Sequence, residues 1–228
     1  MPRSPDRPGA GRWVPDGAER GDVDALAQAA HACRGCELWR DATQVVFSAG
    51  PPDADLALVG EQPGDREDRE GEPFVGPAGR VLADALDAAG VDAEAVYLTN
   101  AVKHFRHVER PERGKRRLHK TPDVAHVRAC LPWLEAELAA VRPRVVVALG
   151  STAARAVLGA PTRIGEVRGQ VLDVPEDGPL AAVPAVASVV VTTHPSSLLR
   201  LRDRSGWDDA FAALVADLGT AARAARGA

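Results

Sequence analysis

Carboxylates, imidazoles, thiols and one isolated aromatic ring stand in this chain where they could act together on a ligand. Residues 60–79 read GEQPGDREDREGEPFVGPAG, which crowds Glu61, Asp65, Glu67, Asp68 and Glu70 into one short stretch. Carboxylates this close repel one another unless something cationic faces them. Phe74, between Pro73 and the Gly76-Pro77 pair, has little core to join. A flat ring beside carboxylates suits a pocket for a planar ligand such as a nucleobase. Gly60 and Gly64 leave room for a ligand to approach the backbone. The same composition also fits a solvated acidic connector.

Two histidines extend the set. His119 lies in Lys115-Arg116-Arg117-Leu118-His119-Lys120, and the surrounding residues 103–120 carry eight Lys or Arg against only Glu109 and Glu112. Neighbouring cations lower the pKa of a histidine and keep its imidazole neutral, hence nucleophilic. The same cations can hold a phosphate backbone close to that nucleophile, although a basic run is also compatible with a solvated surface. His194 opens His194-Pro195-Ser196-Ser197, followed by Leu198, Leu199 and Arg200. Ser196 and Arg200 are phosphate contacts in this reading, and the leucines an apolar tip that enters the space left by a flipped nucleotide. The plain alternative is a capped turn.

The three cysteines are Cys33, Cys36 and Cys130. Three thiols do not make a disulfide framework, so they are either buried core residues or metal ligands. Zinc or an iron–sulfur cluster would need a fourth donor, for which His104, His107 and His31 are the candidates, since imidazole replaces thiolate at some clusters.

The elements that must position these residues alternate. Apolar runs at 56–59, 95–99, 144–149 and 188–192 read as strands, the third continuous enough to be buried on both faces. Helical periodicity covers 23–36, 81–89, 122–138, 152–158 and 207–225. Residues 60–79 and the basic segment 103–120 read as loops, and 166–174 as a hairpin within an irregular excursion. Such alternation predicts an α/β fold of three layers, a central four-stranded, mostly parallel sheet flanked by helices. The loops that start at Gly60, Asn100, Gly150 and Thr193 then all leave strand C-termini and gather along one rim, where ligands bind in open α/β sheets.

Residues 1–22, rich in Pro, Gly, Arg and Asp, are expected to be a disordered tail before a single domain over 23–228. The formal net charge of −4 advertises no polyanion partner for the chain as a whole, so any such affinity rests on the basic segment. No apolar run resembles a signal peptide or approaches a membrane span, which points to a cytoplasmic protein, most simply a monomer.

The motifs GEQPGDREDREGEPFVGPAG, LTNAVKHFR at 98–106, KRRLHKTP at 115–122 and HPSSLLR at 194–200 together resemble the uracil-DNA glycosylase superfamily. Within it they are most similar to the UdgX branch, a relative of family 4, over about 33–200. The resemblance implies a 4Fe-4S cluster on Cys33, Cys36 and Cys130, with His104 in place of the fourth cysteine. It also implies that Phe74 stacks on uracil, Asn100 reads its edge and His194 hydrogen-bonds the base. Glu61 and Gln62 match the UdgX form of the first motif, where ordinary family 4 members carry alanine at position 62. Glu61, with Asp65, would face the cationic sugar, and His119 would capture that sugar covalently. Leu118 departs from the isoleucine usual in the branch, a swap of equal volume.

The expectation is therefore excision of uracil from DNA, single-stranded for preference, with one turnover per molecule. The alternative is a multiple-turnover family 4 enzyme in which His119 only contacts phosphate. A different class, a noncatalytic single-strand DNA-binding or electron-transfer module, is disfavoured by Glu61, Asn100 and His194 meeting on one rim. A nucleotide-binding module lacks the phosphate-loop lysine.

Overall fold

The computed structural model describes residues 7–110, 116–201 and 204–227. Along the chain, α1 (Val23–Ala30) precedes β1 (Ser48–Ala49) and β2 (Leu56–Gly60), then α2 (Asp65–Glu70) and α3 (Pro77–Ala88) lead to β3 (Val96–Asn100). A hairpin of β4 (His107–Arg110) and β5 (Arg116–His119) runs into α4 (Val124–Val141), β6 (Val145–Leu149) and α5 (Ser151–Leu158). The chain continues through α6 (Ile164–Val167), β7 (Val171–Asp173) and β8 (Ser188–Thr192) into α7 (Arg204–Gly227).

The main sheet has six strands in the order β1-β3-β2-β6-β8-β7. Its four inner strands are mutually parallel and are the four expected from apolar runs. The two short outer strands pair antiparallel with them and widen the sheet beyond the expected four. Side chains alternate between two cores. Ala57, Val59, Val146 and Val191 face α1, α4 and α5, where Trp133 and Leu134 fill the space. Leu58, Val147 and Val190 face α3 and α7, against Leu82, Leu86, Leu214 and Leu218. Both faces are covered, as continuous apolar strands require, and the result is three layers.

Several local expectations differ from what the chain adopts. The helix that begins at Val23 stops at Ala30, so Cys33 and Cys36 lie on a loop. Gly35 lies between them, and a Cβ there would meet the backbone nitrogen of Ala10 at 2.8 Å. That contact also corrects the reading of 1–22 as a tail. Residues 1–6 lie outside the described residues, but Ala10 and Val14 are buried in the core beside the cysteines. The 166–174 hairpin does not form; β7 pairs with β8 instead. Residues 60–79 contain α2, and the basic segment is a two-stranded ladder with His107 opposite His119 and Val108 opposite Leu118. Backbone pairing across the ladder thus prevails over a polar composition.

One buried polar cluster ties the sheet to α4. Lys103, fully buried, forms an ion pair with Glu137, reaches Thr99 Oγ1 at 2.5 Å and the Phe47 carbonyl at 3.3 Å. Glu137 also accepts from Tyr97 Oη at 3.1 Å and Thr99 Oγ1 at 2.9 Å. Removing one partner strands the other charge without water. Lys103→Ala is accordingly expected to cost about 3–5 kcal/mol in a chemical denaturation series, whereas Lys103→Met with Glu137→Leu recovers most of it. A double variant no more stable than Lys103→Ala would contradict this account.

Candidate active site

Gly60 and Asn100 are register partners at the C-terminal ends of β2 and β3. A Cβ on Gly60 would stand 2.3 Å from Asn100 Oδ1 and 2.8 Å from Phe74 Cζ. The bare glycine is therefore the floor on which an amide and an aromatic ring converge. Phe74 adopts a left-handed backbone at φ 60°, and the first turn of α3 passes so close that a Cβ on Gly79 would meet the Phe74 carbonyl oxygen at 1.5 Å. The buried Glu67 carboxylate accepts from the Gly76 backbone at 2.8 Å and lies against Gly64, which caps α2. These contacts fix the far side of the loop that presents the ring. Gly60→Ala is expected to leave the fold intact, because the clash falls on side chains at the rim. It should slow the reaction at this site at least tenfold, as misplacement by about 1 Å does at other sites. Circular dichroism alongside a single-turnover rate checks both halves.

His194 enters from β8 and packs on another bare position, its Cβ lying 3.1 Å from where a Cβ on Gly150 would stand. Its Nδ1 accepts from the Ser196 backbone N–H at 3.1 Å and lies 2.9 Å from Ser196 Oγ. A backbone N–H only donates, so Nδ1 carries no proton and the neutral ring holds its proton on Nε2. Burial first, then the His119 and Arg200 side chains, push His194 down to about 4. The ring is thus a neutral Nε2–H donor at physiological pH. It lies 6.5 Å from the Phe74 ring, with the planes 25° apart. Ser196, read from sequence as a phosphate contact, is the residue that sets this tautomer. Arg200 is exposed beside both histidines. Just before His194, the Thr193 hydroxyl oxygen is buried and has no hydrogen-bond partner among the described residues.

Glu61 follows β2 and accepts from Thr152 Oγ1 at 2.5 Å, while its other oxygen lies 3.4 Å from His119 Nε2. His119 ends β5 and is about half exposed. Burial lowers its pKa and Arg200 adds to that, while Glu61 opposes. The hairpin that carries it is fastened at two places. Gln62 donates to the Arg106 and Lys120 carbonyls at 3.1 and 3.3 Å and accepts from the Arg106 N–H at 3.0 Å, bracketing both strands. Arg117 reaches Asp65 and Asp68 at 2.6 Å each and stacks 5.5 Å from the Phe105 ring.

The structure thus brings together Glu61, Asn100, Phe74, His119 and His194. It withdraws others from the roles their types suggested. Asp65 is engaged by Arg117 and by Arg69 at 2.9 Å, not held open toward a sugar. Gln62 is occupied by backbone groups, and Arg117 by carboxylates, not phosphate. Lys115 lies outside the described residues, and Arg116 belongs to β5. Thr152 escaped the sequence reading, and Glu67 was read only as one of the crowded carboxylates. Gly150-Ser151-Thr152 leaves the plainest strand at the same rim, which is the signal that could have found the first.

The three cysteines are buried and free. Cys33 Sγ accepts from Trp133 Nε1 at 3.2 Å and the Gly35 N–H at 3.5 Å, and Cys130 Sγ from the Lys103 N–H at 3.3 Å. Burial pushes the Cys36 thiol up to about 11 and Cys130 higher still, each worsened by a neighbouring cysteine. Buried His104 is pushed down to about 4, by burial and then by the Arg34 cation, so its lone pair is available. His107 stacks on Phe105 at 4.9 Å and His31 is exposed at the end of α1. Among the described residues, no three His, Cys, Asp or Glu side chains converge tightly enough to hold a single metal ion.

Residues 47–219 match the profile of the Uracil DNA glycosylase superfamily. Similar proteins include the Type-4 uracil-DNA glycosylase of Pyrobaculum aerophilum, 34% identical over 78% of this chain and 85% of that protein. That of Archaeoglobus fulgidus is 34% identical over 78% of this chain and 83% of its own. That of Thermotoga maritima is 34% identical over 79% and 84%. No helix among the described residues is long and apolar enough to cross a membrane.

Proposed function

The chain belongs to the uracil DNA glycosylase superfamily, and from that premise we propose that it excises uracil from DNA by breaking the bond between base and deoxyribose. The observation that carries this reading is the convergence of Phe74 and Asn100 over the bare Gly60, with His194 entering from the adjacent strand end. Heterolysis of that bond leaves negative charge on the base and positive charge on the sugar. The Nε2–H of His194 and the amide of Asn100 donate to the departing base, and Glu61 faces the sugar cation. Phe74 supplies the stacking face that an extruded base requires.

Two readings of the next step have support. The relatives are named Type-4 uracil-DNA glycosylases, which favours water as the trap and repeated turnover. The hairpin favours capture. The His119 imidazole lies 3.4 Å from Glu61 and would therefore stand beside the sugar cation that Glu61 is proposed to face, and a group held in place outcompetes water by its effective concentration. Its ring nitrogen would bond to the anomeric carbon. The ring then carries the positive charge and loses its remaining N–H proton to Glu61 or water, leaving a neutral alkylated imidazole that is a poor leaving group. Incubation with a uracil-containing single-stranded oligonucleotide, followed by a denaturing gel and a count of uracil released per molecule, separates the readings. A band that survives heating with one uracil per protein means capture; many uracils without a band mean turnover. No release at all would defeat both.

Cys33, Cys36, Cys130 and His104 would hold a 4Fe-4S cluster, whose ligands spread around several irons and need not converge on one point. The N–H donors from Trp133, Gly35 and Lys103 suit thiolate sulfur. The cluster would supply a structural clamp between the 33–36 loop, the segment after β3 and α4. We place the protein in the cytoplasm as a monomer acting on DNA.

A further inference from the structure

The segment before α1 lies ahead of the residues that match the superfamily, and its packing is specific. Arg7 directs its whole guanidinium at two elements. Its Nε donates to both Glu37 oxygens at 2.8 and 3.0 Å and its Nη2 to Glu37 Oε1 at 2.5 Å, while Nη1 donates to the Asp123 carboxylate at 3.0 and 3.2 Å. Glu37 directly follows Cys36, and Asp123 is the N-cap of α4, the helix that carries Cys130. The fully buried His126 completes the join. Its Nδ1 accepts from the Asp123 N–H at 3.1 Å, so its Nε2 carries the proton and donates to Glu37 at 3.0 Å. Directly after Pro8, at Gly9 and Ala10, the chain crosses the cysteine loop itself. The Gly9 N–H donates to the Gly35 carbonyl at 3.0 Å, and Ala10 packs on Gly35 so closely that no side chain fits between. Val14 and Ala10 then join Cys33, Cys36 and Cys130 in one buried cluster.

We infer that residues 7–14 are a strap that seals the cysteine loop from solvent, with Arg7 as its clasp. The physical argument is one of access. Loops open locally with free energies far below that of global unfolding, and thiol oxidation, alkylation and metal loss proceed through such openings. A segment that spans the loop and is pinned by a bidentate charged fork to both flanking elements lowers the population of the open form. The shielding concerns the thiols, whatever they bind, and so goes beyond the proposed glycosylase reading.

The test uses the full-length protein as purified, well below its melting temperature. Two rates are followed for wild type, Arg7→Ala, Arg7→Lys and a chain lacking residues 1–14. One is cysteine labelling by iodoacetamide, resolved by peptide mass spectrometry. The other is iron release to a ferrous chelator in air. In Arg7→Ala and the truncated chain, labelling of Cys33 and Cys36 should rise about tenfold, the change expected when about 1.4 kcal/mol of closing free energy is lost. Arg7→Lys, which keeps the charge but not the fork, should fall between. Iron release should accelerate in parallel. Unchanged labelling in both Arg7→Ala and Arg7→Lys overturns the strap, even if truncation disturbs folding. Protein that contains no iron would sink the cluster reading alone, because the labelling rates still decide the strap.

Discussion

Protein carrying His119→Gly is expected to release uracil while forming no heat-stable adduct with DNA. The substitution removes the imidazole and leaves the rest of the site, since Glu61 keeps its bond to Thr152 and His194 is held by the Ser196 backbone. On the capture reading, water then enters the vacated space and traps the sugar, so the variant turns over where the parent would stop after one round. The effect on capture is all or none. Its pH dependence in the parent follows from the ring's surroundings. On the capture reading the attacking species is the neutral imidazole, and burial with Arg200 lowers the His119 pKa from its usual value near 6.5. Neutral ring therefore persists to lower pH than for an exposed histidine. Adduct formation, read on denaturing gels from time courses at fixed pH, should hold level down to about pH 6.5 and decline only below it. An adduct that forms undiminished in His119→Gly would move the nucleophile elsewhere, and a parent that releases many uracils per molecule would assign His119 to binding.

The second large effect belongs to His194. Replacing it with alanine removes the Nε2–H that the proposed reaction sets against the charge developing on the departing base, and the loss of one such donor slows reactions by about 10²–10³, or about 2.7–4 kcal/mol. Single-turnover uracil release is the measurement. Ser196→Ala should cost far less, because the backbone N–H that sets the tautomer remains. If the two variants slow excision equally, the donor role of Nε2 is refuted and the hydroxyl is the active group. His194 sits near 4 and so contributes no acid limb above about pH 5. An excision step that speeds up as the pH falls from 7 to 6 would argue for a protonated ring as the donor instead.

The parallel strands and the rim they create were legible because a strand buried on both faces must be apolar throughout, and 144–149 could be little else. The outer strands were not: Ser48–Ala49 and Val171–Asp173 are too short to show a period. The hairpin was hidden by its arginines, although Val108 and Leu118 stand opposite each other in the ladder and mark its apolar side. The residues that the proposed reaction sets against base and sugar were identifiable by type, as with Phe74, Asn100 and the two histidines. Those that hold the site were not. Gln62, Asp65 and Arg117 have the side chains of catalytic or phosphate-binding groups, and only the fold reveals that they bind one another's loops. The N-terminal segment has the composition of a disordered tail, yet Ala10 and Val14 supply enough small apolar contact to seat it.

Phe74 carries one more consequence. Its backbone is held at φ 60° by a loop that closes against Gly79 and by the Glu67 carboxylate behind it. A non-glycine residue reaches that conformation only when its surroundings over-determine it. The backbone that presents the ring is therefore set during folding, and on the proposed reading an arriving base would meet a platform already in place. Preorganisation of this kind shifts the entropic penalty from the binding step to the folding step. It should leave the free and DNA-bound forms nearly superimposable at this loop.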